Sequence, residues 1–132
     1  MPRYDLAVVR AAVADDRVEV GGRRYKERLL PYVGTYIAMR AFTKAVLLEL
    51  TADDFMGSVH YGDAIHDEYG VAISEETQTT FAVEGLETWY VKFTMDERPD
   101  GGVVLVASLH EPEHPLDRAG GTLSIRFSRR TE

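Results

Sequence analysis

The sequence predicts an α+β domain, and three observations lead to this class. Apolar residues recur at helical spacing in the first fifty residues, whereas apolar and polar residues tend to alternate in the remainder. The chain of 132 residues is long enough for one core, and its 45% hydrophobic and 28% charged residues are an ordinary globular mixture. No repeat or linker interrupts it. We therefore expect one domain over residues 1–132, with helices first and a sheet second.

Two helices are predicted in the first thirty residues. Residues 4–14 place apolar side chains three and four positions apart, and Asp5 stands where an acidic residue favours a helix start. A pair of glycines then breaks the pattern, and residues 23–30 form a short basic stretch of helical character. Residues 17–20 fit either a strand or a turn. The apolar face expected for the first helix consists of Leu6, Val9, Ala12 and Val13.

The strongest helix pattern covers residues 35–50. Thr35 is suited to cap it, because a threonine oxygen accepts hydrogen bonds from free N–H groups of the first turn. We expect this helix to be largely buried. Thr51 starts a further helical turn that leads to Phe55. The predicted apolar face of the long helix consists of Ile37, Ala41, Ala45 and Leu48, with Met39, Phe42 and Val46 beside it.

Strand-like runs fill the second part of the chain. The run over residues 88–95 is the clearest, since Trp89 begins a strict alternation of apolar and polar residues. Residues 103–106 are continuously apolar, which favours a central strand. Proline, aspartate and glycine at residues 99–102 predict a hairpin turn. The predicted strands are residues 56–61, about 71–83, 88–95, 103–110 and 122–128.

The net charge of −7 excludes a generic nucleic-acid-binding domain, which would be basic overall. The charge is uneven, because nine of the fifteen Lys and Arg residues lie in residues 1–50, where Asp and Glu number six. Arg24 and Lys26 belong to a dense basic run with a tyrosine between them, which makes both candidates for RNA contacts. A solvated helix face explains the same run at least as well.

The sequence also indicates the cellular compartment and whether the chain crosses a membrane. The absence of cysteine excludes disulfides and thiolate metal sites. No stretch approaches the roughly 20 apolar residues that cross a bilayer, and the first ten residues lack the basic-then-apolar order of a signal peptide. We therefore expect a cytoplasmic protein with no membrane partner.

Histidines raise the question of a metal site. His60, Asp63, His66 and Asp67 are residue types that zinc or manganese accepts, but their spacing matches no helical ligand pair. Residues 110 and 114 are histidines four apart, yet a proline between them disfavours the helix that would bring them together. No Gly-rich phosphate loop follows a strand. We expect neither a functional metal nor a cofactor.

Four stretches taken together resemble the motility quorum-sensing regulator toxins, the MqsR family. Their order and approximate spacing agree over roughly residues 4–111, which leaves 112–132 as an added C-terminal loop and strand. The resembling stretches are YDLAVVRAAVADDRVEV, AVLLELTADDFMGSV, AIHDEYG, and WYVKFTM followed by VVLVASLHE.

This resemblance implies a RelE-like fold, with N-terminal helices packed on a curved antiparallel sheet of four to six strands. It also implies metal-independent cleavage of single-stranded mRNA by an endoribonuclease toxin that an antitoxin protein neutralises. The chain departs from the family at three functional positions. A family lysine falls on Gly57, a family glutamine on His66 and a family lysine on His110, whereas the family tyrosine is kept as Tyr90.

Metal-free RNA cleavage needs a base for the 2′-OH, an acid for the leaving 5′-oxygen, and cations on the phosphate. Histidine suits both proton roles because it titrates near neutrality. The hypothesis from sequence is that His66 and His110 divide these roles, while Lys92 stabilises the transition state and Tyr90 contacts the base or the phosphate. His60 and Arg126 are further candidates for RNA contact.

Each of these residues also has an ordinary structural explanation. Isolated histidines in strands are usually structural or merely exposed, and a Tyr–Lys pair is typical of the polar side of an amphipathic strand. Two features favour an alternative function. The family lysine is lost at Gly57, and Asp and Glu outnumber Lys and Arg in residues 51–132. In that alternative, the chain is a catalytically inactive RelE-like protein-binding or regulatory module.

Overall fold

The structure is a computed structural model, and it describes residues 1–98 and 101–124. Among these residues it has four α-helices, one short 3-10 helix and one open five-stranded sheet, which confirms the α+β class. None of the described helices has both the length and the apolar character needed to cross a bilayer. The helices are α1 Leu6–Ala14, α2 Arg23–Leu29, α3 Tyr36–Glu49 and α4 Glu75–Thr80, with the 3-10 turn at Ala52–Asp54. The strands are β1 Val18–Val20, β2 Phe55–Tyr61, β3 Ala64–Ala72, β4 Thr88–Arg98 and β5 Gly101–His110.

The sheet has the strand order β1-β5-β4-β3-β2 and is mixed, so the prediction of an antiparallel sheet is wrong at one edge. The strands β2 to β5 pair antiparallel with their neighbours in the sequence. The short strand β1 instead pairs parallel to β5, with Val18 opposite Val104. Parallel pairing requires a long connection, and the helices α2 and α3 lie within the chain that joins β1 to the rest of the sheet.

The helix α3 begins at its predicted cap, Thr35, and the helix α1 is capped by Asp5, which was expected only near the helix start. The side chain of Asp5 accepts a hydrogen bond from the Ala7 N–H (2.8 Å), and that of Thr35 accepts one from the Ala38 N–H (3.1 Å). These caps satisfy backbone N–H groups that have no partner within the helix. The core then forms between these helices and one face of the sheet, where the rings of Phe42 and Trp89 are 4.9 Å apart.

The long helix α3 buries a different face from the predicted one. Ile37 is 82% exposed and Leu48 is 49% exposed, although both were expected in the core. The helix is apolar on most sides, so its periodicity alone does not select the face that packs on the sheet. The residues that α3 buries are Met39, Phe42, Thr43, Val46 and Leu47.

The predicted strand over residues 71–83 is also wrong. The strand β3 ends at Ala72, and the helix α4 follows it. Ser74 starts this helix, because its side chain accepts a hydrogen bond from the Thr77 N–H and donates to the Glu49 carboxylate. Gln78 is buried, and its side-chain amide donates to the Ile73 carbonyl, so this polar side chain is satisfied without strand pairing.

Residues 111–124 cross the face of the sheet that is opposite α1 and α3. Leu116 is 2% exposed and packs on Gly70 of β3, where an added Cβ would lie 2.7 Å from the Leu116 Cδ1. A single bridge joins Leu116 to Leu123. The predicted last strand at 122–128 lies largely outside the described residues, as does the tip of the β4–β5 hairpin at 99–100.

A nearly buried ion pair holds this C-terminal segment in place. The Arg118 Nη1 lies 2.7 Å from the Asp54 Oδ1 and 3.1 Å from the Gly70 carbonyl oxygen. The side chains of the pair are only 15% and 10% exposed. The adjacent Ala119 and Gly120 N–H groups donate to the carbonyls of Phe55 and Asp53, so the segment is bound to the start of β2 by backbone and side chain together.

We expect Arg118→Met to lower the free energy of unfolding by about 3 kcal/mol, since removing one partner leaves a desolvated carboxylate without its cation. Arg23→Met is the matched control, because Arg23 pairs with Glu27 on an exposed helix surface. Its effect should stay below about 0.5 kcal/mol. Urea denaturation measures both, and equal effects of the two substitutions would contradict a structural role for the Arg118–Asp54 pair.

Candidate functional site

A cleft of about 400 Å³ opens on the sheet face opposite α1 and α3. The strands β3, β4 and β5 form its floor, α2 contributes one side, and residues 112–116 contribute another. Its polar lining residues include three Lys or Arg side chains and two carboxylates, so the cleft has a local excess of cations in a chain of net charge −7. The charged and histidine residues of the lining are Arg24, Arg28, Lys92, Glu68, Glu113, His110 and His114.

His110 is the last residue of β5 and lies at the centre of the predicted chemistry. Its Nδ1 is 2.7 Å from the Glu111 carbonyl oxygen. A carbonyl can only accept, so Nδ1 carries the proton and Nε2 keeps a free lone pair in the neutral ring. Burial lowers the pKa of His110, and the cations Arg28 and Lys92 lower it further. Near neutral pH the ring is therefore in the form that can accept a proton.

Tyr90 lies directly beside His110 on the neighbouring strand. The two residues are register partners, and their rings are 5.1 Å apart with an angle of 35° between the planes. The Tyr90 hydroxyl donates to the Glu68 carboxylate across the β3–β4 pair. Burial and the neighbouring Glu68 raise the pKa of Tyr90, so its phenol remains protonated and the ring is held in place by Glu68.

Lys92 follows Tyr90 on the same face of β4. Its Nζ lies 3.7 Å from the centre of the Tyr61 ring, a short cation–π contact. Ser108 is its partner on β5 and also lines the cleft. The predicted residues Tyr90, Lys92 and His110 therefore do converge in one cleft.

The basic helix α2 divides its residues between the core and the cleft. Tyr25 and Leu29 are buried, and this places Arg24 and Arg28 together at the cleft, since residues four apart share a helix face. Lys26 is directed elsewhere, with its Nζ 5.3 Å from the Tyr36 ring. Of the two predicted RNA contacts on this helix, the structure therefore brings Arg24 to the cleft and leaves Lys26 outside it.

His66 is on the same face of the sheet but does not line the cleft. It is 6% exposed, and the Tyr61 ring packs on it nearly at right angles, with 5.3 Å between the ring centres. Its Nδ1 has no hydrogen-bond partner among the described residues. Burial is the main cause that lowers the pKa of His66. The structure thus separates His66 from His110, and the predicted pair of proton-transfer histidines is not formed.

His60 and the possible metal ligands around it do not come together either. His60 is exposed and follows the alternation of β2 to the face opposite Tyr61. The buried Asp67 carboxylate accepts hydrogen bonds from the Arg3 and Tyr4 N–H groups and from Ser58. Within residues 1–98 and 101–124, no three His, Asp or Glu residues are grouped as metal ligands. Arg126, the remaining predicted RNA contact, lies outside the described residues.

Several cleft residues were not among the site residues predicted from the sequence. Arg28 belongs to the predicted basic run, and its spacing to Arg24 indicates a shared face once Tyr25 and Leu29 are assigned to the core. Glu68 was missed because the segment 64–70 was not assigned to a strand. Without that strand, the sequence could not predict that Glu68 lies opposite Lys92. His114 was considered from the sequence only as a possible metal ligand, and Glu113 was not considered, because both follow the last strand in an irregular loop without periodicity.

No protein-family model matches the sequence, and no curated protein matches it significantly.

We expect the pKa of His110 to lie below 6.5, the ordinary value for histidine, and to rise when Arg28 is replaced by Met. The substitution removes a cation that disfavours the imidazolium form, and it also frees Glu113, which lies 4.0 Å from Arg28. Histidine NMR titration measures this pKa, with Arg23→Met as the control because Arg23 lies outside the cleft lining. An unchanged His110 pKa in Arg28→Met would contradict the described cleft geometry.

Proposed function

We propose that this chain is a metal-independent endoribonuclease toxin of the MqsR type, with a RelE-like fold and an antitoxin as its protein partner. The observation that carries the proposal is His110, whose Nδ1 is tied to a backbone carbonyl in a cleft with an excess of cations. The antiparallel strands β2 to β5 with helices on one face are compatible with a RelE-like arrangement. The resemblance of residues 4–111 to the MqsR family is the reason for proposing a toxin of this class.

In the proposed reaction, His110 Nε2 takes the proton of the 2′-OH, and the 2′-oxygen attacks the adjacent phosphorus. The bond to the 5′-oxygen breaks, the 5′-oxygen takes a proton from water or from an acid, and the products are a 2′,3′-cyclic phosphate and a 5′-hydroxyl. Lys92 and Arg28 stabilise the negative charge that builds on the phosphate oxygens. Tyr90 positions the His110 ring and offers an aromatic face to a base, as single-stranded RNA sites do.

The first test is cleavage of a long single-stranded RNA by the purified protein in EDTA. Wild type should cleave it, and His110→Gln should be slower by about 10²- to 10⁴-fold because the general base is lost. His60→Gln is the matched control, since His60 is exposed on the other face of β2. If wild type leaves the RNA intact, or if His110→Gln retains full activity, this proposal is wrong.

The pH dependence follows from the lowered pKa of His110. A base must be unprotonated to act, so the rate rises with pH and levels off above the His110 pKa. We expect the acidic limb of kcat/KM against pH to have its midpoint below 6.5. Arg28→Met should move that midpoint upward, and a midpoint above 6.5 in wild type would contradict His110 as the base.

A second candidate function is a RelE-like module that only binds a partner or regulates. The specific observation in its favour is Gly57, which lies opposite Glu68 on the cleft side of β2 and supplies no cation where the MqsR family has lysine. Expression in cells separates the two functions. Growth arrest that disappears with His110→Gln supports the enzyme, whereas growth unaffected by wild type supports the binding module.

Gly57→Lys should strengthen RNA binding in the proposed enzyme. An added Cβ at Gly57 meets no atom within 4 Å, and the new ammonium would join the cations of the cleft. The plot of log K against log salt should become steeper by about 0.7, the value for one extra phosphate contact to a single strand. Gly34→Lys is the control, because Gly34 has the same open space outside the cleft. Identical slopes for the two variants would place the RNA elsewhere.

A further inference from the structure

Cleavage by His110 alone leaves the 5′-oxygen without a proton donor. An alkoxide is a poor leaving group, so a positioned acid accelerates this step. Two other polar groups of the cleft are poorly suited to that role. The Tyr90 hydroxyl already donates to Glu68 and its pKa is raised, and Lys92 is engaged as a cation over the Tyr61 ring.

His114 lines the same cleft as His110 and has the same kind of anchor. Its Nδ1 lies 3.3 Å from the Pro115 carbonyl oxygen, just as the His110 Nδ1 faces the Glu111 carbonyl. In both rings Nδ1 is the donor to the backbone, so Nε2 is the nitrogen left for the substrate. His114 is exposed, whereas His110 is partly buried. Because the His114 ring is open to solvent, water can return to it the proton that an acid gives up in each turnover.

The segment that carries His114 is fixed on both sides of it. Glu113 lies 4.0 Å from Arg28 of α2, and Leu116 is packed on Gly70 of β3. Further along, the Arg118–Asp54 pair binds the segment to the start of β2. These anchors hold residues 112–116 as a wall of the cleft.

We propose that His114 is the general acid of the RNA cleavage reaction. This inference rests on the proposed ribonuclease function. His114 Nε2–H gives its proton to the 5′-oxygen as the P–O5′ bond breaks, while His110 Nε2 receives the proton of the 2′-OH. His110 gains one proton and His114 loses one, so the protons balance, and no metal, oxidant or further reactant is required.

The test compares two substrates that differ in their need for an acid. One is a single-stranded RNA, and the other is uridine 3′-(4-nitrophenyl phosphate), whose leaving group departs without protonation. His114→Gln should slow RNA cleavage by about 10²-fold or more and should leave the nitrophenyl ester within about threefold of wild type. His110→Gln should slow both substrates, because both need the 2′-OH deprotonated. Since His114 is exposed, His114→Gln should keep the thermal unfolding midpoint of wild type.

The remaining outcomes overturn either the role of His114 or the proposed function itself. If His114→Gln cleaves both substrates like wild type, or slows both equally, His114 is not the acid although the ribonuclease proposal stands. If wild type cleaves only the nitrophenyl ester, no acid is working and the inference is overturned. If wild type cleaves neither substrate, the proposed function itself fails. His60→Gln serves as the matched histidine control and should cleave both substrates at the wild-type rate.

Discussion

One extra residue in β5 places His110 on the face of the sheet that carries the candidate site. The pairing of β4 with β5 shifts between Lys92 and Phe93, so that Lys92 faces Ser108 while Phe93 faces Val106. Because of this bulge, Val106 is buried in the core and His110, an even number of positions further on, lines the cleft on the other face. Without it, strict alternation would place the two on the same face. The bulge therefore provides both a continuous core and a histidine beside Tyr90.

The other constraint is the attachment of the C-terminal segment across the sheet. Arg118 and Asp54 form a nearly buried pair, and such a pair is stable only because each partner has further hydrogen bonds. Arg118 also bonds the Gly70 carbonyl, and Asp54 accepts from the Thr51 N–H as part of the capping of the 3-10 turn. The segment thus closes one side of the cleft over the floor made by β3 and β4. A part of the chain beyond the resemblance to the MqsR family becomes a wall of the proposed active site.

The two histidines of the cleft and the buried one show how environment sets a role. His110 is half-buried among cations, which favours its neutral form and suits it to accept a proton. His114 lies four residues further on, where its ring is exposed to solvent and lines the same cleft. His66 is enclosed beneath Tyr61, and its position in the sequence gave no sign of this. The same side chain is therefore a candidate base, a candidate acid or an enclosed residue outside the cleft, according to its surroundings.

The sequence by itself determined the α+β class, the cap at Thr35, the start of α1 near Asp5, and the strand that carries Tyr90 and Lys92. These features depend on local hydrogen bonds and on alternation along one element. It did not determine the face that α3 buries, since a helix that is apolar on several sides packs wherever its neighbours allow. It did not determine the strand at 64–72 either, because polar residues 66–68 interrupt its apolar pattern and its pairing with β2 and β4 joins distant parts of the chain. It also could not place Glu68, Arg28 and His114 in the cleft. Their meeting depends on strand register, on the β5 bulge and on the anchored C-terminal segment, all of which are contacts between residues distant in the chain. Only tertiary packing fixes such contacts.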